Sequence, residues 1–381
     1  MHGYVSRFAE NEISGALSRS PAVAILGPRQ CGKSTTARML LENIPSVYLD
    51  LQDRVDRNKL SEPELFFDRY RDRLVCLDEI QRLPDFFSIL RSEIDKDRRP
   101  GRFLILGSAS RDLIKQSSES LAGRIAYIDL TPFLIKEVAI VSSWSDNWLR
   151  GGFPESVLSN NDHDSFEWRL NFIRTFMERD IPNLGFRIPV PVIERLWMLL
   201  AHNHGQTVNY HKLAAATDIS IPTLKKYLAI LEQTYMIRLL QPSETNLKKR
   251  LIKSPKIYLR DSGILHTLLD IEKYDSLLAH PIAGASWEGF VLENIITEHD
   301  RWKPSFIRTS NGAEIDLLLE RGRRRQIFEC KLSKAPKPSR GFHELIESVN
   351  PESAWIIAPV DETYELKKKI FVSSPADLKP I

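Results

Sequence analysis

Long apolar runs are missing from this 381-residue chain: no stretch approaches the ~18–20 residues that a membrane-spanning helix requires. The first residues, Met-His-Gly-Tyr-Val-Ser-Arg, lack the apolar segment of a secretory signal. Cysteine is scarce. Cys31, Cys76 and Cys330 are isolated from one another and odd in number, which fits neither a disulfide framework nor a zinc site. Internal repeats and low-complexity tracts are absent, and the run from Lys334 to Ser339 reads as no more than a short turn or linker. These absences lead to the expectation of a soluble, cytoplasmic protein without a membrane partner. Its length predicts two or three domains, each with its own core.

Net charge is equally spare, with 53 Lys and Arg against 50 Asp and Glu, but its distribution is uneven. Residues 225–256 carry Lys225, Lys226, Arg238, Lys248, Lys249, Arg250, Lys253 and Lys256 against Glu232 and Glu244, a local +6. Residues 321–340 carry a local +7, which leaves −10 for the remainder. Two basic stretches on an otherwise acidic chain fit either solvated surface or defined contacts with a polyanion.

The amino-terminal third has the pattern of a nucleoside triphosphate site. Ala22 to Leu26 is a short continuous apolar run, as a buried parallel strand should be. It leads into Gly27-Pro28-Arg29-Gln30-Cys31-Gly32-Lys33-Ser34, a full G-x-x-x-x-G-K-S match, and Thr35 to Leu41 then reads as a helix. Glycines let the backbone curl so that its N–H groups face phosphate oxygens at a helix N-terminus. Lys33 reaches the outer phosphates, and the Ser34 hydroxyl is a Mg²⁺ ligand. A second apolar strand, Leu74 to Leu77, ends in Asp78-Glu79. Asp78 is predicted to hold the metal through water, and Glu79 to orient and deprotonate the attacking water. A third strand, Phe103 to Leu106, runs into Gly107-Ser108, which places Ser108 to sense the γ-phosphate or the attacking water. ATP and Mg²⁺ are the expected substrate and cofactor.

Together with Leu77-Asp78-Glu79-Ile80-Gln81, Leu121-Ala122-Gly123-Arg124 and Gly151-Gly152-Phe153-Pro154, these motifs run in order along nearly the whole chain. The ordered set resembles the AAA-type ATPases of bacteria and archaea that carry an appended domain of unknown function, the DUF4143 group. The resemblance implies a phosphate-sensing arginine, or a finger acting on a neighbouring subunit, at Arg124. It likewise implies at Pro154 a proline that packs on adenine. The plain alternatives are a salt-bridge residue and a turn.

The middle of the chain reads as a winged helix. After a helical region at about 164–205, Asn209 to Thr217 suggests a helix and Asp218-Ile219-Ser220 a turn. Ser220 then caps a second helix with Pro222 in its first turn, whose apolar face is Leu224, Leu228, Leu231 and Tyr235. Strand-like stretches at Met236 to Leu240 and Lys256 to Leu259 flank a polar turn. In that layout Thr223, Lys225 and Lys226 face DNA, with Lys248, Lys249 and Arg250 on the wing. Protein docking is the alternative for such a module.

Near the carboxyl end, Ala313 to Glu320 and Arg325 to Leu332 read as strands of a hairpin turning at Gly322-Arg323. That register sets Asp316 across from Glu329 and Glu314 across from Lys331, all on one face, with Ile315, Leu317, Leu319, Phe328, Cys330 and Leu332 on the other. Facing carboxylates beside a lysine invite a divalent metal. Asp316…Glu329-x-Lys331 resembles the D…E-x-K core of restriction-endonuclease-like domains. The likeness implies metal binding by Asp316 and Glu329, a further ligand in Glu288, and Lys331 acting on water or on the charged phosphorane. A charged solvent-facing sheet is the plain alternative.

The fold expected is α/β: a parallel-sheet P-loop ATPase (1–160), a helical lid with winged helix (161–275) and a restriction-endonuclease-like domain (276–381). The function expected is a Mg²⁺-dependent ATPase that moves or remodels DNA, duplex or branched, as a homo-oligomer such as a ring. RNA remains open as an alternative nucleic acid. An ATP-gated nuclease or signalling switch, and a non-cleaving docking protein, are the rival readings.

Overall fold

The computed structural model describes residues 3–83, 85–108, 121–244 and 253–378. The chain divides into two units, one formed by Met1–Phe133 with Gln233–Tyr235, the other by Leu134–Glu232 with Met236–Ile381. Set beside the expected domains of 1–160, 161–275 and 276–381, the first unit ends at Phe133 and the second takes in most of the remainder.

The first unit is built on a five-stranded parallel sheet of β1 (Ala22–Leu26), β2 (Ser46–Asp50), β3 (Leu74–Asp78), β4 (Phe103–Gly107) and β5 (Ile125–Asp129). Their spatial order is β2-β3-β4-β1-β5. The three central strands are buried along their whole length, the reason they read as unbroken apolar runs and not as alternating ones. Phe67, Phe86, Phe87, Leu90 and Ile94 pack with Ala22, Ala24, Val75, Leu77, Phe103 and Ile105 in one core. Helices α1 (Ala9–Leu17), α2 (Lys33–Leu41) and α3 (Phe86–Lys96) belong to this unit.

In the second unit, α4 (Trp144–Arg150), α5 (Asp162–Thr175) and α6 (Val190–His202) precede a helix pair, α7 (Tyr210–Thr217) and α8 (Ile221–Gln233). Asn209 caps α7 by accepting from Lys212 N, and Ser220 Oγ accepts from Thr223 N at the start of α8. A two-stranded antiparallel ribbon follows, β6 (Ile237–Leu240) with β7 (Lys256–Leu259). Then come α9 (Ser262–Leu268), α10 (Ala283–Glu298) and a six-stranded mixed sheet.

That sheet comprises β8 (Lys303–Arg308), β9 (Glu314–Arg321), β10 (Arg324–Cys330), β11 (Ser353–Ile357), β12 (Tyr364–Lys367) and β13 (Ile370–Ser373), in the order β12-β13-β11-β10-β9-β8. Helix α10 supplies Trp287, Phe290, Val291 and Ile295 to a core with Leu317, Leu319 and Phe328. Helix α11 (Arg340–Val349) supplies Phe342, Leu345 and Val349 to a second core with Ile315, Leu318 and Ile327. Both sheet faces are thus covered, which replaces the expected division into a core side and a charged side. The first of these cores also takes in Trp148 and Tyr258, and this explains why Leu134–Glu232 and Met236–Ile381 form a single unit.

The β9–β10 pairing follows the register read from the sequence, from Arg324 opposite Arg321 to Phe328 opposite Leu317. On its other edge β9 is irregular. Ser305 pairs with Leu318 and Ile307 with Ile315, so Asp316 and Leu317 together oppose Phe306 alone. This β-bulge breaks the period of two and turns Ile315 to the core of Leu318. Beyond the bulge, strict alternation no longer tells which way Glu314 and Asp316 face.

Candidate nucleotide site and the carboxyl-terminal acidic cluster

The loop from Gly27 to Gly32 joins the buried end of β1 to the first turn of α2. Gln30 (φ 61°) and Gly32 (φ 99°) adopt left-handed backbone, which curls the loop. At Gly27 a Cβ would stand 2.0 Å from Leu130 O, so only glycine permits this approach. Lys33 is 5 % exposed, and its Nζ donates to Pro28 O (2.6 Å) and Gly27 O (3.1 Å). Arg7 braces the loop from outside by donating to Cys31 O (3.0 Å) and Thr131 O (2.6 Å).

Ser34, one residue into α2, donates from Oγ to Asp78 Oδ2 at 2.6 Å. Tyr48 on β2 donates to the same oxygen, with the Arg38 guanidinium 4.8 Å from its ring centroid. Burial, then the Asp78 carboxylate, drives the Tyr48 phenol far above its usual pKa, so it acts as a donor and never as an anion here. Asp78 is 5 % exposed, and its second oxygen, Oδ1, has no hydrogen-bond partner among the described residues. A buried carboxylate oxygen left open beside a serine hydroxyl suits a hydrated Mg²⁺ ion.

Glu79 sits in left-handed backbone (φ 60°) immediately after β3. Ser108 Oγ at the end of β4 donates to its Oε1 (3.1 Å), and Gln81 Nε2 donates to its Oε2. The neighbouring parallel strands β3 and β4 thus deliver Glu79 and Ser108 into contact. Arg29 and Thr35 lie in the same loop–helix joint. Arg124 is held in a two-pronged pair with Asp95 of α3, Nε and Nη2 each 2.9 Å from a carboxylate oxygen. Pro154 lies in the second unit as the first residue of a short helix, after a Phe153 that packs against Trp168 and Phe172. Tyr48 escaped the sequence reading. Its only signal was a tyrosine in the strand expected beside the Asp78 strand.

On α8, Lys225 and Lys226 are exposed and Thr223 is half-buried, its hydroxyl 2.8 Å from that of Ser220. The Lys225 ammonium lies 5.2 Å from the Tyr210 ring centroid. Lys248, Lys249 and Arg250 fall outside the described residues. Two members of the same basic stretch are engaged within the fold. Arg238 is paired with Glu293 (2.8 Å), and Lys256 is only 2 % exposed. In the second stretch, Arg324 pairs with Glu352, Arg325 with Glu320 and Lys331 with Glu329. Part of the charge counted in each stretch is therefore balanced within the fold.

The carboxyl-terminal residues divide into two sets. Lys256 Nζ stands 2.5 Å from Glu314, 2.8 Å from Glu288 and 3.9 Å from Asp316. Tyr258 donates to Glu288 (2.5 Å), and Cys330 N donates to Asp316 Oδ2 (2.8 Å). Burial, then Glu288, pushes the Asp316 carboxyl up to about 8. Glu329 instead pairs with Lys331 at 2.7 Å, on the β10 face that also carries Ile327. The expected ligand set of Glu288, Asp316 and Glu329 is not assembled. Among the described residues no group of three or more His, Cys, Asp or Glu side chains is arranged to hold a metal ion.

Three family descriptions match along the chain: an AAA domain over residues 19–139, a domain of unknown function (DUF8612) over 141–275 and another (DUF4143) over 283–376. An uncharacterized protein of Mycobacterium tuberculosis is 39 % identical over 372 residues, covering 97 % of this chain and 83 % of its own. An uncharacterized protein of Mycobacterium bovis matches to the same extent. Among solved structures, the Walker-type ATPase of Pyrococcus abyssi is similar at 15 % identity with a TM-score of 0.48, over 70 % of this chain and 96 % of that one. No described helix is long and apolar enough to cross a membrane.

Proposed function

Since the chain belongs to the AAA-type ATPases that join an AAA domain to a DUF4143 domain, we propose that it is a Mg²⁺-dependent ATP hydrolase that binds DNA and uses turnover to move or remodel it. The observation that carries the hydrolase reading is the convergence of Lys33, Ser34, Asp78, Glu79 and Ser108 at the carboxyl ends of the central strands β1, β3 and β4. Lys33 binds the outer phosphates. The Glu79 carboxylate, aimed by Ser108 and Gln81, orients the attacking water and accepts its proton. Mg²⁺ held by Ser34 and Asp78 would neutralise charge on the phosphate oxygens.

The DNA reading rests on α7 and α8 followed by the β6–β7 ribbon, the order of a winged helix, with Lys225 and Lys226 exposed on the second helix. Assembly into a ring would bring Arg124 to a neighbour's phosphates. Its present partner, Asp95, forms an exposed pair that such a phosphate can displace.

The test is ATP turnover with Mg²⁺ alone, then with single-stranded, linear duplex and four-way branched DNA, with DNA integrity followed in the same tubes. Strong stimulation with intact DNA is expected, and Lys33→Ala should abolish turnover in a folded protein. Flat, slow turnover with nicked DNA would replace this reading by a gated nuclease. The absence of both effects would leave a docking protein.

A further inference from the structure

The acidic cluster formed by Glu288 of α10 with Glu314 and Asp316 at the start of β9 already contains a cation. We propose that Lys256, carried on β7 of the ribbon, is a tethered counter-ion that fills this cluster in place of a divalent metal and latches the ribbon to the sheet. The inference is independent of the ATPase reading.

Lys256 is fixed by its backbone on both sides, paired with Leu240 of β6 and bridged to Thr207. Its side chain has little freedom to swing out. Its ammonium lies 5.6 Å from the Phe306 ring centroid and 6.0 Å from that of Tyr258, inside the fold rather than on it. The carboxylates it meets come from α10 (Glu288) and from the bulged end of β9 (Glu314, Asp316). Their remaining contacts also come from the protein: Tyr258 on Glu288, Arg308 on Glu314 at 3.6 Å, and Cys330 N on Asp316. A hard divalent ion needs six or more oxygens and would have to expel the ammonium to reach these three. Glu329, the carboxylate that a D…E-x-K metal site requires, stands outside the Lys256 group: its Oε1 pairs with Lys331, and its Oε2 has no hydrogen-bond partner among the described residues. One helical turn and a residue beyond Glu288, Glu293 receives Arg238 and Arg260. Helix α10 therefore holds the ribbon at two points.

Breaking a buried pair by removing one partner leaves charge without compensation, so the latch is testable through both metal uptake and stability. Mn²⁺ binding to the full chain without nucleotide, followed by loss of the free-ion paramagnetic signal, should be identical in the natural protein and in Asp316→Asn. In Lys256→Met one additional Mn²⁺ per chain should bind at least tenfold more tightly than in the natural protein. That gain should vanish in Lys256→Met with Asp316→Asn. Uptake by the natural protein that Asp316→Asn loses would overturn the proposal, as would no gain in Lys256→Met. Should Lys256→Met not fold, adding Glu288→Gln and Glu314→Gln should restore a cooperative thermal transition. Failure of that restoration would equally overturn the latch.

Discussion

The Ser34 hydroxyl lies 2.6 Å from Oδ2 of Asp78, tying the first turn of α2 to the carboxyl end of β3 across 44 residues of chain. Each residue is the expected Mg²⁺ contact of its own motif, and the fold places them in direct contact. Asp78→Asn should therefore weaken ATP binding about tenfold in the presence of Mg²⁺ and leave it within twofold in excess chelator. Turnover should fall at least 100-fold. Nucleotide titration with and without metal checks this. Equal losses under both conditions would show that Asp78 acts on the fold and not through the ion.

Glu79 is positioned by two donors yet makes no ion pair among the described contacts. Replacing it by Gln removes the proton acceptor and preserves the shape. Turnover should fall on the order of 10²–10³-fold with ATP affinity within twofold, read by single-turnover kinetics beside equilibrium binding. Ser108→Ala should cost less, because it loosens the carboxylate without removing it.

Lys225 and Lys226 are the exposed cations of α8. Reversing both to Glu should reduce DNA affinity at least tenfold at moderate salt and flatten the dependence of log affinity on log salt. Turnover without DNA should be unchanged. Unaltered binding would move the nucleic-acid surface elsewhere.

Glu293 gives a pH prediction. Burial raises its carboxyl pKa, but Arg238 and Arg260 outweigh that and hold it at about 2, against an ordinary 4.5. The folded state binds this proton less readily than the unfolded chain. The stability it contributes is complete above pH 4.5 and is lost as pH falls towards 2. Glu293→Gln should cost about 3 kcal/mol at neutral pH and flatten the acid limb of denaturant stability plotted against pH. An acid limb of unchanged slope would remove Glu293 from the account.

The candidate nucleotide site was largely legible because its signals are local. Gly27 to Ser34 carry the loop, the helix start and the lysine in eight consecutive residues, and Leu74 to Glu79 carry strand and carboxylates together. The register of β9 with β10 was also readable, since Gly322-Arg323 sets it. Tyr48 was not legible: its contact with Asp78 depends on which strand lies beside β3. Nor was the fate of Lys256, which in sequence belongs to a basic stretch and in the fold to an acidic core.

Sequence alone determined what depends on neighbours along the chain: buried parallel strands from unbroken apolar runs, the phosphate loop from its glycines, and the class of enzyme from motif order. Tertiary structure decided what depends on pairing at a distance. A single bulge opposite Phe306 re-aimed Ile315, and it left Glu314 and Asp316 grouped with Lys256 and Glu288 and not with Glu329. Alternation with a period of two holds only while the ladder is regular, and one extra residue on one strand reverses it. Charge behaves in the same way. A lysine is counted as surface until the strand that carries it is packed, and only the packed fold shows which carboxylates it must neutralise.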